Sequence, residues 1–173
     1  MNKTILPEEG LKKKYLYSSI IPRNLSTQKP AIFFDRDGVL IKDCHFISSA
    51  EKVKIEDGAR ELIKFAKSND WIVIIITNQS GISRGYFTWN EYQSVTNRFL
   101  DDLGLPSYID GIYANGFDDK KYSDWRKPNP GMIFEAQNDF NINLSKSILI
   151  GDRFSDIQAL SLIHISEPTR QDR

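Results

Sequence analysis

The chain predicts an α/β fold, a parallel sheet with helices on both faces, and three observations carry that prediction. Apolar runs recur along it, at Ile32-Phe33-Phe34, Trp71 to Ile76, Ile109 to Ala114 and Ser147 to Ile150. Runs of this kind are the pattern of strands buried on both sides. Between them lie segments with apolar residues at helical spacing, the alternation that a parallel sheet wrapped by helices requires. Each run also ends in charged or hydrogen-bonding residues, and open sheets hold their ligands just beyond the carboxyl ends of their strands.

Residues 1–30 read as an N-terminal extension. Pro7 opens a helix expected over Glu8–Ser19, with Leu11, Tyr15 and Ile20 on one side, followed by a polar linker. Lys12, Lys13 and Lys14 on such a helix read as a solvated face. The first strand then delivers Asp35-Arg36-Asp37-Gly38, and Val39 to Glu56 is long and irregular, the pattern of a functional flap. Asp57 is the expected cap of a helix with Ala59, Leu62, Ile63 and Ala66 inward, ending near Asn69.

The second strand is the most apolar run and ends at Thr77-Asn78-Gln79-Ser80-Gly81. Thr88 and Glu91 form a capping box for a helix with Tyr92, Val95 and Phe99 inward, closed by Gly104. A third strand leads into a polar loop, Asn115 to Trp125, and then Arg126-Lys127-Pro128-Asn129-Pro130. Asn129 is expected to cap a helix that starts on Pro130 and buries Ile133, Ala136 and Phe140. The fourth strand ends in Gly151-Asp152-Arg153, with Asp156 beyond it and a helix that turns Ile157, Leu160 and Ile163 inward.

The totals bound the function. A chain of 173 residues, 40% apolar and 12% aromatic, fits one globular domain. Lys plus Arg equals Asp plus Glu at 23 each, so no overall basic field favours nucleic acid or an anionic membrane. One cysteine, Cys44, leaves no internal disulfide, and no apolar stretch reaches the roughly 20 residues that span a bilayer. Without the apolar segment of a secretory signal, the expected location is the cytoplasm, and the expected state a monomer.

The chemistry lies in what the strand ends bring together. Asp35 and Asp37 stand one residue apart, and like charges so close call for a divalent cation with oxygen ligands. Asp35, Asp37 and Asp152 can hold one magnesium, while Lys127 and Thr77 neutralise and hydrogen-bond phosphoryl oxygens. Such positioning is most of what phosphoryl transfer needs.

At this point the chain resembles the haloacid-dehalogenase-like phosphatases, which share a Rossmann-like sheet. The resemblance covers residues 31–163 through Asp35-Arg36-Asp37-Gly38, Thr77 in Thr-Asn-Gln, Lys127 in Arg-Lys-Pro, and Gly151-Asp152 with Asp156. It implies that Asp35 is a nucleophile that becomes an aspartyl-phosphate. Asp37 would then be the acid and base, lending magnesium its backbone carbonyl, and Asp156 a supporting residue. The motifs look most like the D-glycero-D-manno-heptose 1,7-bisphosphate 7-phosphatases and the related histidinol phosphatases. By that resemblance Asp43, Cys44, His45 and Phe46 line a sugar, and Thr77, Asn78, Gln79 and Ser80 hold phosphate and substrate. Arg126 recognises a second phosphate, and Arg153 stands where relatives usually have lysine.

Two departures accompany the resemblance. Many such enzymes carry a zinc loop before Arg-Lys-Pro, and 114–125 contains neither Cys nor His, so no zinc is expected. The resemblance also implies a further strand and helix, whereas 164–173 lacks a strand pattern and reads as a non-native tail; the fourth strand would then form an apolar edge. The alternative functions are a polynucleotide 3′-phosphatase, which shares several of these motifs, a histidinol phosphatase, and a non-catalytic scaffold on the same fold.

Overall fold

Among the described residues, six strands and the three helices between them position the strand ends. The computed structural model describes residues 11–13, 16–20, 26–105, 108–156, 158, 159 and 161. In chain order its elements are β1 (Leu11–Lys13), β2 (Leu16–Ile20), β3 (Ala31–Phe34), α1 (Ala59–Ser68) and β4 (Ile72–Asn78). They continue with α2 (Trp89–Leu103), β5 (Gly111–Asn115), α3 (Gly131–Phe140) and β6 (Ile148–Ile150). One sheet contains all six strands in the order β1-β2-β5-β4-β3-β6. The four strands read from the apolar runs are mutually parallel, and β1 and β2 add to the free side of β5 in antiparallel fashion.

The apolar runs of β3, β4 and β5 are uniform because each of these strands has two buried faces. Ala31, Phe33, Ile72, Ile74 and Ile76 pack with Ile133, Ala136 and Phe140 of α3. Ile32, Phe34, Val73 and Ile75 point the other way, onto Ala59, Ile63 and Ala66 of α1 and Val95, Phe99 and Leu103 of α2. Burial of one such Ile or Phe side chain stabilises by about 2 kcal/mol, and polar residues in either set would lose that and leave unpaired groups.

The crossovers set where a ligand can enter. The chain moves from β3 through β4 to β5 with α1 and α2 on one face, then returns past β3 to β6 with α3 on the other. The direction of winding therefore reverses between β3 and β6, and a crevice opens at such a reversal. In the described sheet β6 pairs only with β3, and Ile148 is exposed.

The largest departure from expectation is at the N-terminus. Residues 11–13 and 16–20 are strands, not part of a helix, and β2 pairs along its whole length with β5, from Leu16 opposite Asn115 to Ile20 opposite Gly111. The ladder offered by β5 outweighs a local helical spacing of only three apolar residues. Tyr17 then packs among Trp89, Tyr92 and Phe87, stacked on Trp89 with centroids 5.7 Å apart, and its hydroxyl donates to Gln93 Oε1.

Smaller differences concern caps. The residue before α1 is Gly58, in the left-handed region at φ 84°, and Asp57 makes no capping bond; Leu62 is half-exposed. Pro130 rather than Asn129 precedes α3, because the Asn129 amide donates to Ser123 O at 2.9 Å. The Thr88–Glu91 capping box and the left-handed Gly104 terminator of α2 are present as read. Val39 to Glu56 is irregular, with one short 3-10 turn at Ala50–Lys52. The chain turns helical again at 154, but Ile157, Leu160 and Ile163 lie outside the described residues.

Candidate active site

The strand register itself assembles the charged groups. Phe34 lies level with Ile75 on one side and Ile150 on the other, so Asp35, Ile76 and Gly151 share the next level and the side chains beyond them face one crevice. Asp35 N donates to Ile150 O at 2.9 Å, which seals the turn out of β3 onto β6.

Lys127 joins these tips. Its ammonium lies 2.7 Å from Asp35 Oδ2, 2.7 Å from Asp156 Oδ1, and donates to Ile76 O at 3.1 Å. The backbone around it is clasped by Asn78, whose amide donates to Lys127 O at 3.1 Å and accepts from Lys127 N at 3.1 Å. The other oxygen of Asp35 accepts from Arg36 N at 2.7 Å, so both lobes of this carboxylate are held. Burial pushes the Asp35 carboxyl above its ordinary range; Lys127 opposes the push, and the charges of Asp156 and Asp37 add to it.

Carboxylate oxygens of Asp35, Asp152 and Asp156 lie within 4.8 Å of one another. Three hard oxygen donors on two converging loops suit a divalent cation of the magnesium type. Asp37 is oriented differently: its carboxylate accepts from Arg36 Nε at 3.0 Å, Arg36 NH2 at 3.2 Å and Gln79 Nε2 at 2.7 Å. Gly38, at φ 84°, passes so close to Asp152 that a Cβ there would overlap the carboxylate, and a Cβ on Gly151 would overlap Asp156. These two glycines let the loops converge.

A cleft of about 380 Å³ opens over the group, bordered by Asp35, Asp37, Asn78, Ser80, Arg126, Lys127 and Arg153. Asp119, Pro128 and Ser155, which sequence reasoning did not select, border it too. Thr77 is buried, and its hydroxyl accepts from Gln79 Nε2 at 2.8 Å, so Gln79 faces Thr77 and Asp37. Cys44 is exposed. His45 and Phe46 both have positive φ, at 51° and 55°, in a turn where Asp43 accepts from His45 N at 2.9 Å. Asp43 also meets Arg153 at 3.2 Å, which ties this turn to the loop after β6, and Phe46 packs edge-on against Tyr86 at 4.9 Å.

The loop 116–125 is fastened by ordinary contacts. Asn115 Nδ2 and Arg126 NH1 both donate to Phe117 O, at 3.0 and 3.1 Å, Ser123 Oγ donates to Asn115 Oδ1 at 2.9 Å, and Trp125 is buried. No helix among the described residues is long and apolar enough to cross a membrane.

Comparison with known proteins follows the same lines. Residues 30–163 match the family described as polynucleotide kinase 3 phosphatase. A D-glycero-alpha-D-manno-heptose-1,7-bisphosphate 7-phosphatase of Burkholderia mallei is 40% identical over 139 residues, 75% of this chain and 72% of that protein. A D-glycero-beta-D-manno-heptose-1,7-bisphosphate 7-phosphatase of Helicobacter pylori is 37% identical over 137 residues, 78% of this chain and 79% of that one. Among solved structures, a D,D-heptose 1,7-bisphosphate phosphatase from B. bronchiseptica, complexed with magnesium and phosphate, superposes with a TM-score of 0.71 at 27% identity, covering 77% of this chain and 75% of that one. Strand order, the crevice at the reversal of winding and these likenesses agree: the chain belongs to the haloacid-dehalogenase-like phosphatases, within the family described as polynucleotide kinase 3 phosphatase, and is a phosphoric monoester hydrolase.

Proposed function

We propose that the protein is a magnesium-dependent phosphatase that removes the 7-phosphate of a D-glycero-D-manno-heptose 1,7-bisphosphate through an aspartyl-phosphate on Asp35. The observation that carries this is the contact of Asp35 with Lys127 at the floor of a cleft that also exposes Asp37. A carboxylate oxygen of Asp35 attacks phosphorus and the bond to the sugar oxygen breaks, while Asp37 gives its proton to that oxygen. Asp37 then takes a proton from the water that attacks the phosphoryl group, which frees inorganic phosphate and restores Asp35. Lys127 and Thr77 serve the phosphoryl oxygens, the first by charge and the second by hydrogen bonding.

Asp35, Asp152 and the Asp37 carbonyl, with Asp156 beside them, would hold magnesium, which would supply the positive charge that lets one anion approach another. Asn78 and Ser80 take the near side of the substrate, with Gln79 behind them on Asp37 and Thr77, Asp43 to Phe46 take the sugar, and Arg126 with Arg153 the second phosphate. Residues 31–163 carry this chemistry, without zinc, in a cytoplasmic monomer.

The names of the relatives in both anomeric series support the heptose substrate, and the equal numbers of acidic and basic residues disfavour a nucleic-acid strand. Release of phosphate from either anomer of the heptose bisphosphate, from histidinol phosphate and from a 3′-phosphorylated oligonucleotide tests the reading directly. With magnesium, the heptose bisphosphate should be hydrolysed at least tenfold faster than the others, and Asp35→Asn should abolish the activity. Preference for the oligonucleotide would overturn the substrate, and equal rates for wild type and Asp35→Asn would overturn the nucleophile.

A further inference from the structure

Arg36 has the residue number of a spacer, between two acids that the chemistry needs, yet it is 1% exposed and among the largest fully buried side chains of the protein. A guanidinium is costly to bury unless its donors are matched, and here they are matched in a particular way. Nε and NH2 meet the two oxygens of Asp37 side-on, at 3.0 and 3.2 Å, a forked contact that fixes the plane of the carboxylate as well as its distance. NH1 turns inward to Thr96 Oγ1 at 3.4 Å, and the guanidinium carbon lies 5.0 Å from the centroid of the Tyr92 ring.

Tyr92 and Thr96 are one turn apart on α2, and the Thr96 hydroxyl donates to Tyr92 O at 2.9 Å, which leaves its lone pairs toward the arginine. The start of α2 is in turn fixed by the Thr88–Glu91 box and by Tyr17 of β2 stacked on Trp89. Asp37 stands on a loop, but its carboxylate is referenced to a helix. Gln79 Nε2, one residue past the end of β4, completes the arrangement at 2.7 Å.

We propose that Arg36 is a positioning residue for Asp37, one that holds the carboxyl, through its anchorage on Tyr92 and Thr96, in the orientation that delivers a proton to the departing sugar oxygen. This rests on the reading of Asp37 as the acid of the reaction. A sugar oxygen leaves as a poor alkoxide and needs that proton, whereas p-nitrophenolate leaves without one. Misplacing the acid therefore penalises one substrate far more than the other.

The test compares kcat/KM, which reports the first phosphoryl transfer, for a sugar bisphosphate and for p-nitrophenyl phosphate with magnesium present. Arg36→Lys keeps the charge and loses the fork. It should lower the ratio of the two values by at least tenfold, within the roughly 10²–10⁴ that a positioned acid contributes. Thr96→Val, which removes only the anchor on α2, should lower the ratio about threefold, a fraction of that same contribution, and serves equally if Arg36→Lys does not fold. An equal fall on both substrates in these variants would overturn the proposal, since loss of packing alone does not distinguish leaving groups. Asp37→Asn separates the two ideas: if it lowers the ratio and the Arg36 and Thr96 variants do not, only the positioning role fails. If Asp37→Asn itself leaves the ratio unchanged, Asp37 is not the acid and both readings fall together.

Discussion

Two lysine–aspartate contacts sit at opposite ends of the same sheet and are built to opposite effect. At the amino ends of β4 and β5, Asp110 is fully buried, and one of its oxygens accepts from Val73 N at 2.8 Å and from Lys67 in the last turn of α1. Asp110 N returns a bond to Val73 O at 2.8 Å, so the contact pins two strands and a helix together. At the carboxyl ends, Lys127 meets two carboxylates with a third close by, at the floor of a cleft. The first arrangement ends in a closed backbone ladder. The second gathers acids around one ammonium where a ligand can reach them, a structure that a cation and a phosphate ester complete. The lesson is that a buried lysine–aspartate contact marks a functional site when acids outnumber the cation beside open space, and marks a joint when backbone groups close it off.

Exchange of the two lysines' roles is the strongest way to break this comparison. Lys127→Met should lower phosphatase activity about 10³-fold, as loss of one transition-state donor does. It should also cost about 3 kcal/mol in urea unfolding, because Asp35 and Asp156 lose their counterion. An active Lys127→Met protein would refute the catalytic half of the contrast. Gly38→Ala should come next: a Cβ there overlaps Asp152 and strains a left-handed turn, and about a 10²-fold loss in phosphate release is expected from misplacement at the site.

Asp110→Ala should do the reverse. It leaves the Val73 N–H without its acceptor and should cost about 3 kcal/mol in urea unfolding. The kcat of the folded protein should nevertheless stay within about twofold, since nothing at the amino ends touches substrate. A loss of kcat comparable to that of Lys127→Met would erase the distinction between joint and site.

The smallest effect sharpens the contrast by touching neither charge cluster. Glu91 is exposed, and its bonds to the Thr88 backbone and hydroxyl hold its carboxyl below the ordinary range. A folded value below the unfolded one gives stability that is present above the unfolded value and lost as pH falls through the folded one. Glu91→Gln should therefore flatten the acid side of a melting-temperature profile slightly, and Thr88→Ala should cost about 1 kcal/mol at neutral pH.

What the residues alone revealed divides along the same physical line. The parallel strands were legible because burial on both faces leaves an unbroken apolar run, and the site was legible because those runs end together. The strand at Leu16–Ile20 was not, since its partner lies about a hundred residues away and no local spacing encodes β5. Nor were the contacts of Arg36 and Gln79, whose directions depend on α2 and on Asp37. Neither Asn129 nor Asp57 caps its helix, because an Asn or Asp near a helix start has other uses: the Asn129 amide bonds Ser123, and Gly58 stands between Asp57 and its helix.

The reciprocal amide clasp between Asn78 and the peptide of Lys127 has a kinetic meaning. It fastens the lysine's segment as another strand would, so the reach of a long aliphatic arm is metered by main chain and not by four freely turning bonds. Disorder that an unfastened ammonium would give up at every encounter with an ester was given up once, when the polypeptide first folded.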